Sequence, residues 1–285
     1  MRIGIFDSGL GGLLIAKAIR KALPQYDYVY LGDTKRVPYG NRSHETVYEF
    51  TREAVDYLFK EEDCALVIIA CNTASARALR RIQQEYLPTL NKGNKKTPSA
   101  SGHSPLAGGD KYRRVLGVLI PSAEEAANFK RVGILATRGT VSSDTFVDEI
   151  YKLNKDIKVF QNPAPMLVPL VEEGEGELAT VFIKKYLKPL VGKKIEALVL
   201  GCTHYPIFKK EIRKILPKNI EIISQDEIIP KKLKDYLSRN SEITKKLSKN
   251  KTAKILVTDM TDTLQKLSSK WFGNDTKPEV AVVEI

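Results

Sequence analysis

Two stretches of the chain end an apolar run on a cysteine followed by small polar residues: VIIACNTASA at residues 67–76 and LVLGCTHYP at residues 198–206. A thiol placed where a strand gives way to a helix meets the free N–H groups of the helix start, which lower its pKa and favour thiolate. Cys71, with Asn72 and Thr73 behind it, and Cys202, with Thr203 and His204 behind it, are therefore candidate acid–base groups. Cys64, at the head of the run that ends at Cys71, reads instead as a small buried apolar residue. Two more strand ends are polar. IFDSGLGG places Asp7 and Ser8 ahead of a glycine turn, and YLGDTKRVPYG leads to Tyr39 and Gly40.

Two thiols facing one cleft suit the inversion of an α-carbon. One group takes the hydrogen from one face while the other returns a proton to the opposite face, and each needs a pKa near the working pH. Thiols meet that demand with modest tuning and with neither metal nor cofactor. Other chemistries stay open to the same residues. Cys202 and His204 are close enough for zinc, although no Cys-x-x-Cys accompanies them and the chain has three histidines in all. A single-cysteine acyl transferase would need a base and an oxyanion hole, and it leaves the second cysteine unexplained. Gly9, Gly11 and Gly12 suit a strand-to-helix turn that binds an anion. With Asp33 as a ribose acid they would serve a dinucleotide, but Leu14 holds the third glycine position and Asp7 would stand beside the pyrophosphate. Asp7 as a plain cap of the following helix is the simplest reading of that residue.

The elements that must position these residues alternate. The β-rich runs RIGIF, YVYLG, ALVIIA, RVGILA, IKVFQ, ALVLG, IEIIS and KILVT are separated by helix-period segments such as HETVYEFTREAVDYLFKEE. That order predicts an α/β fold with mainly parallel sheets and flanking helices, and near-continuous apolar strands suit sheets buried on both faces. The halves echo one another. Gly4 precedes Tyr28 by 24 residues, as Gly133 precedes Ile157, and Cys71 and Cys202 follow those glycines by 67 and 69. A Val-Pro follows each second strand, at Val37-Pro38 and Val168-Pro169. Two similar domains are expected, each delivering one cysteine to the cleft between them. The first spans 1–114 plus 210–285, the second 115–209. A linker-like insertion over about 91–114, rich in Gly, Pro, Ser and Lys, carries His103 as a loop residue.

At 285 residues the chain is long for a single core. Its net charge of +12 comes from lysines scattered over helical faces such as KKLKDYLSRN, so nucleic acid is not expected as the primary partner. The N-terminus lacks the pattern of a signal peptide, and no apolar run approaches the ~20 residues that span a bilayer. Three cysteines without framework spacing fit a reducing compartment. A cytoplasmic protein with no membrane partner is the expectation.

IGIFDSGLGGL, YLGDTKRVPYG, VIIACNTASA, VGILATRGTV, MLVPLVEEGE, LVLGCTHYP and ILVTDMTD together resemble the cofactor-independent glutamate racemases of the aspartate/glutamate racemase superfamily. The resemblance covers nearly the whole chain outside the insertion, and GDTKRVPYG with CNTA and CTHYP is its specific part. It implies two α/β domains, interconversion of L- and D-glutamate, and a supply of D-glutamate to bacterial peptidoglycan. Cys71 would then deprotonate D-glutamate and Cys202 L-glutamate, with Asp7 and His204 assisting. Substrate contacts would come from Asp7, Ser8, Tyr39, Gly40, Asn72, Thr73, Thr203 and His204, and no metal or cofactor is implied. Thr137, Thr140 and Glu172 fall in the matching blocks. A homodimer is compatible with the reading, as is a racemase of aspartate or an inert α/β binding protein. The chain departs from the family pattern in its insertion, in Ala164 where many members carry a cysteine, and in IISQDE, which lacks a small Ser-Gly-like element.

Overall fold

Apolar strands buried on both faces build two parallel sheets in the computed structural model, which describes residues 1–92, 113–261, 265 and 279–285. The expected insertion, His103 included, lies outside the described residues but for its two ends. The strands are β1 (Arg2–Asp7), β2 (Tyr28–Gly32), β3 (Cys64–Ile69), β4 (Arg114–Gly117), β5 (Arg131–Ala136), β6 (Lys158–Pro163), β7 (Ala197–Gly201), β8 (Glu221–Ile223), β9 (Ala253–Val257) and β10 (Glu279–Val282). One sheet runs β10-β9-β2-β1-β3-β4 and the other β6-β5-β7-β8. Every described pairing is parallel.

The echo in the sequence is a repeat in the fold. The order β2-β1-β3-β4 of the first sheet recurs as β6-β5-β7-β8 in the second. Gly4 pairs with Val67 across β1 and β3, and Gly133 pairs with Leu198 across β5 and β7. The equal spacing to Tyr28 and Ile157 is offset by two. Ile3 pairs with Tyr28 and Val132 with Val159, so Val159 is the true counterpart.

Central strands carry no polar face: β2, β3 and β7 are buried along their whole length, as expected of sheets covered on both sides by helices. Helix α1 (Leu13–Ala22) turns Leu13, Ile15, Ala16 and Ile19 inward at helical spacing. Helix α2 (His44–Lys60) starts at Ser43, whose side chain accepts from the Thr46 N–H. Helix α3 (Asn72–Arg81) begins immediately behind Cys71. β4 joins the first sheet and β8 the second, so the chain changes sheet after 117 and after 223, not at the expected seams 114/115 and 209/210. Both are short strands on sheet edges, and a short apolar run carries no local mark of the sheet it will extend.

Candidate active site

Both thiols stand at equivalent places. Four residues beyond Val67 and Leu198, the paired positions of β3 and β7, lie Cys71 and Cys202. Each is 6 % exposed, and both open onto one cavity of about 590 Å³ between the strand ends of the two sheets. Ser8, Tyr39, Gly40, Asn72 and Thr73 line it from the first half, and Thr203 and His204 from the second. Both Val-Pro pairs, Val37-Pro38 and Val168-Pro169, form part of its wall. Of the residues expected as catalytic or substrate-binding, Asp7 is set back, and so is Thr140 among those of the matching blocks. Asp7 is fully buried at the end of β1, behind the wall.

Asp7 Oδ2 accepts the N–H groups of Gly9 and Gly12, at 3.2 and 3.1 Å. The carboxylate thus holds the glycine turn that leads into α1. Its second oxygen, Oδ1, has no hydrogen-bond partner among the described residues. Burial raises the Asp7 pKa, against the opposing charge of His204 and the turn N–H groups. The turn also approaches the other half. A Cβ built on Gly11 would lie 2.5 Å from Thr203 Oγ1 and 2.6 Å from His204 Nδ1, so the contact requires glycine.

Cys71 caps α3, its sulfur accepting the Ala74 N–H at 3.4 Å. The helix start was expected to lower its pKa, and the net effect is the reverse. Burial pushes the thiol up to about 12, with the charge of Asp7 adding to it against the hydrogen bonds from Ser8 and Ala74. One helix terminus does not offset the loss of solvent around a buried anion. Cys64 is also capped by burial, fully enclosed beneath Gly4 at the start of β3 and held as a neutral thiol.

Cys202 has a different neighbour. His204 Nδ1 lies 3.8 Å from its sulfur, and His204 Nε2 lies 3.0 Å from Glu172 Oε1. Burial, the largest influence on His204, disfavours its cation. Cys202 and Glu172 outweigh it and raise the pKa to about 10. The Cys202 sulfur and the Glu172 carboxylate on either side of the ring thus favour its protonated form.

The two halves also meet through hydroxyls. Thr73 Oγ1 lies 2.9 Å from Thr137 Oγ1 and 3.3 Å from Thr140 Oγ1. Tyr39 donates its hydroxyl to Asp33 Oδ2, leaving its ring on the cavity. Asp33 also holds Arg36 at 2.6 Å and Thr258 at 2.9 Å. Asp33 is fully buried behind these three side chains, which removes it as a ribose acid for a dinucleotide. Arg138 and Lys185 also line the cavity and were not singled out in the sequence. Lys185 sits in the helix Gly176–Val191 among the exposed Lys184 and Lys188, and Arg138 opens the four-residue helix Arg138–Val141, so residue type alone gave no mark. Among the described residues no group of three or more His, Cys, Asp or Glu side chains is disposed to hold a metal ion.

A profile of the Asp/Glu/Hydantoin racemase family matches residues 115–227. The glutamate racemase of Sulfurihydrogenibium sp. is 37% identical over 284 residues, covering 98% of this chain and 96% of that one. That of Aquifex aeolicus is 35% identical over 285 residues, covering 98% and 97%. Among solved structures, the glutamate racemase of Francisella tularensis in complex with D-glutamate is similar with a TM-score of 0.83 at 30% identity, covering 99% of this chain and 97% of that one.

Proposed function

The chain belongs to the glutamate racemase family, and from that membership we propose that it interconverts L- and D-glutamate by moving the α-proton between two thiols. The observation that carries the reading is the shared cavity, onto which Cys71 opens from the first half and Cys202 from the second. Cys202 is the base toward L-glutamate and Cys71 the base toward D-glutamate. No cofactor takes part.

The two thiols stand in unlike surroundings, which gives the reaction a resting direction. A His204 imidazolium beside Cys202 stabilises negative charge on that sulfur. Burial keeps Cys71 a neutral thiol. The free enzyme is thereby set to remove the proton of L-glutamate with Cys202 and to deliver one from Cys71 to the opposite face. Each thiol ends in the state the other began in. Asp7, whose charge acts on Cys71, is the group proposed to return a proton to that thiol between turnovers, while Cys202 gives up to solvent the proton it has taken. Asp7 acts through the thiol, since it stands behind the cavity wall. Ser8, Gly40, Asn72, Thr73, Thr203 and His204 offer the substrate contacts, with the Tyr39 ring as wall. Exclusion of water around the α-carbon when the lobes approach favours a carbanion-like transition state.

The two lobes are proposed as domains that hinge, joined where the chain leaves β4 and where it returns after β8. D-glutamate for peptidoglycan, a cytoplasmic location and a homodimer belong to the same proposal. No helix among the described residues is long and apolar enough to cross a membrane. The test is a chiral assay of purified protein with L- and D-glutamate and with aspartate, without added pyridoxal phosphate or metal. Racemisation of glutamate is expected. Turnover of aspartate alone, or turnover that needs an added cofactor, would overturn the reading.

A further inference from the structure

Asn72 is the first residue of α3, adjoins Cys71 and lines the cavity. Its side-chain amide is gripped by a second amide from far along the chain. Asn72 Nδ2 donates to Gln225 Oε1 at 2.8 Å, and Gln225 Nε2 donates back to Asn72 Oδ1 at 2.6 Å. Asn72 is 2 % exposed and Gln225 is fully buried. A primary amide offers two N–H donors and two acceptor lone pairs. The reciprocal pair uses one of each on Asn72, fixes the plane of its amide, and leaves the other N–H and lone pair for the cavity.

The position of Gln225 gives the pair a second meaning. Gln225 opens the helix Gln225–Arg239, one residue past Ser224, where the chain comes back from β8. β8 belongs to the second sheet, whereas that helix packs along α1 on the first. Gln225 therefore sits on the return passage between the lobes. The outward passage starts at Val118, just beyond β4. Its carbonyl accepts from Gln225 Nε2 at 3.5 Å, and its N–H donates to Ile69 O at 3.2 Å. One side chain thus meets both passages and the residue beside a proposed catalytic thiol, yet is itself absent from the cavity wall.

We propose that Gln225 is a positioning residue for racemisation, holding the Asn72 amide in its binding orientation and tying that orientation to the setting of the two lobes. The proposal rests on the racemase reading. A mismatch in either hydrogen bond leaves a buried amide group unsatisfied, which is costly enough to turn Asn72 out of place.

The test uses Gln225→Ala and Gln225→Met, the second of which keeps the chain length and removes both hydrogen bonds. Values of kcat and KM for L- and D-glutamate are measured alone and in the Asn72→Ala background, with a thermal melt of each variant. In the otherwise unsubstituted protein KM should rise about tenfold, the scale of one lost buried hydrogen bond, with kcat much less affected. In the Asn72→Ala background neither substitution should change KM further, because residues acting through one contact are not additive. A folded Gln225→Met protein with unchanged KM would overturn the proposal. So would an equal loss in both backgrounds, or misfolding of both variants, since either assigns Gln225 a merely structural part. Absence of racemisation in the unsubstituted protein would instead remove the reading beneath it.

Discussion

At the scale of single residues, the two cysteines are alike in position and unlike in environment. Cys71 is a buried thiol near a carboxyl group, and Cys202 is a thiol beside a cationic imidazole. Because each is needed in both directions, Cys71→Ala and Cys202→Ala should each abolish racemisation from either isomer while the fold is retained. Cys64→Ala should keep the activity and cost on the order of 1 kcal/mol in stability, the usual scale for a small buried truncation. Chiral assay and a denaturant melt of the three proteins check both statements. A racemising Cys202→Ala protein would contradict the assignment. His204 gives a pH dependence with a definite sign. In the fold its pKa is raised to about 10, against 6.5 for an unperturbed histidine. The imidazole proton stabilises the fold fully below about pH 6.5, and the contribution fades as pH rises toward about 10. Glu172→Gln removes one cause of the raised pKa. The melting temperatures of the unsubstituted protein and of this variant should therefore converge between neutral pH and pH 10. The alkaline limb of its L-to-D rate should move to lower pH. An unmoved limb would show that Glu172 does not hold the imidazolium.

At the scale of elements, the site is a set of strand ends, and the turn after β1 is its tightest point. Gly11 brings that turn against Thr203 and His204, where a Cβ would come within 2.5 Å of the threonine oxygen. Gly11→Ala should lower kcat/KM by about 10²-fold, the scale of an ångström of displacement in a catalytic group, with a smaller effect on the melting temperature. A Gly11→Ala enzyme at full rate would show that the turn tolerates the shift. Much of this layer is legible in the sequence. The apolar runs ending at Cys71 and Cys202, the glycine turn and the two Val-Pro pairs were visible as types and spacings, and all of them meet at the cavity. Three features were not. The raised pKa of Cys71 follows from burial by distant chain, whereas a helix start is the part of its surroundings that sequence displays. The pairing of Asn72 with Gln225 spans 153 positions, and nothing local marks Gln225, an amide at the head of a charged helix, as the partner of a residue behind Cys71. The edge strands β4 and β8 are too short for their apolar pattern to name a partner sheet.

At the scale of the whole molecule, one repeated α/β plan places a thiol on each side of a single cavity. If the lobes hinge as proposed, contacts that cross between the halves set how the cavity closes. Arg77 on α3 donates to Gly139 O at 3.1 Å, to Arg42 O at 2.6 Å and to Ser142 Oγ at 2.9 Å, clasping the first half to the segment after β5. Arg77→Met should loosen that clasp, raise KM for both isomers several-fold, and speed amide exchange in residues 138–142, since elements that gate a cleft change binding and turnover together. Unchanged exchange there would show that closure does not depend on Arg77. The central claim is that two thiols work on opposite faces of one α-carbon, and its most direct measurement follows the proton. L-Glutamate is converted in heavy water, sampled early, separated by chirality and weighed by mass spectrometry. The account predicts D-glutamate carrying α-deuterium from the first turnovers, beside recovered L-glutamate that is still protiated. Transfer of the original α-hydrogen into the product, or deuterium entering substrate and product together, would contradict it.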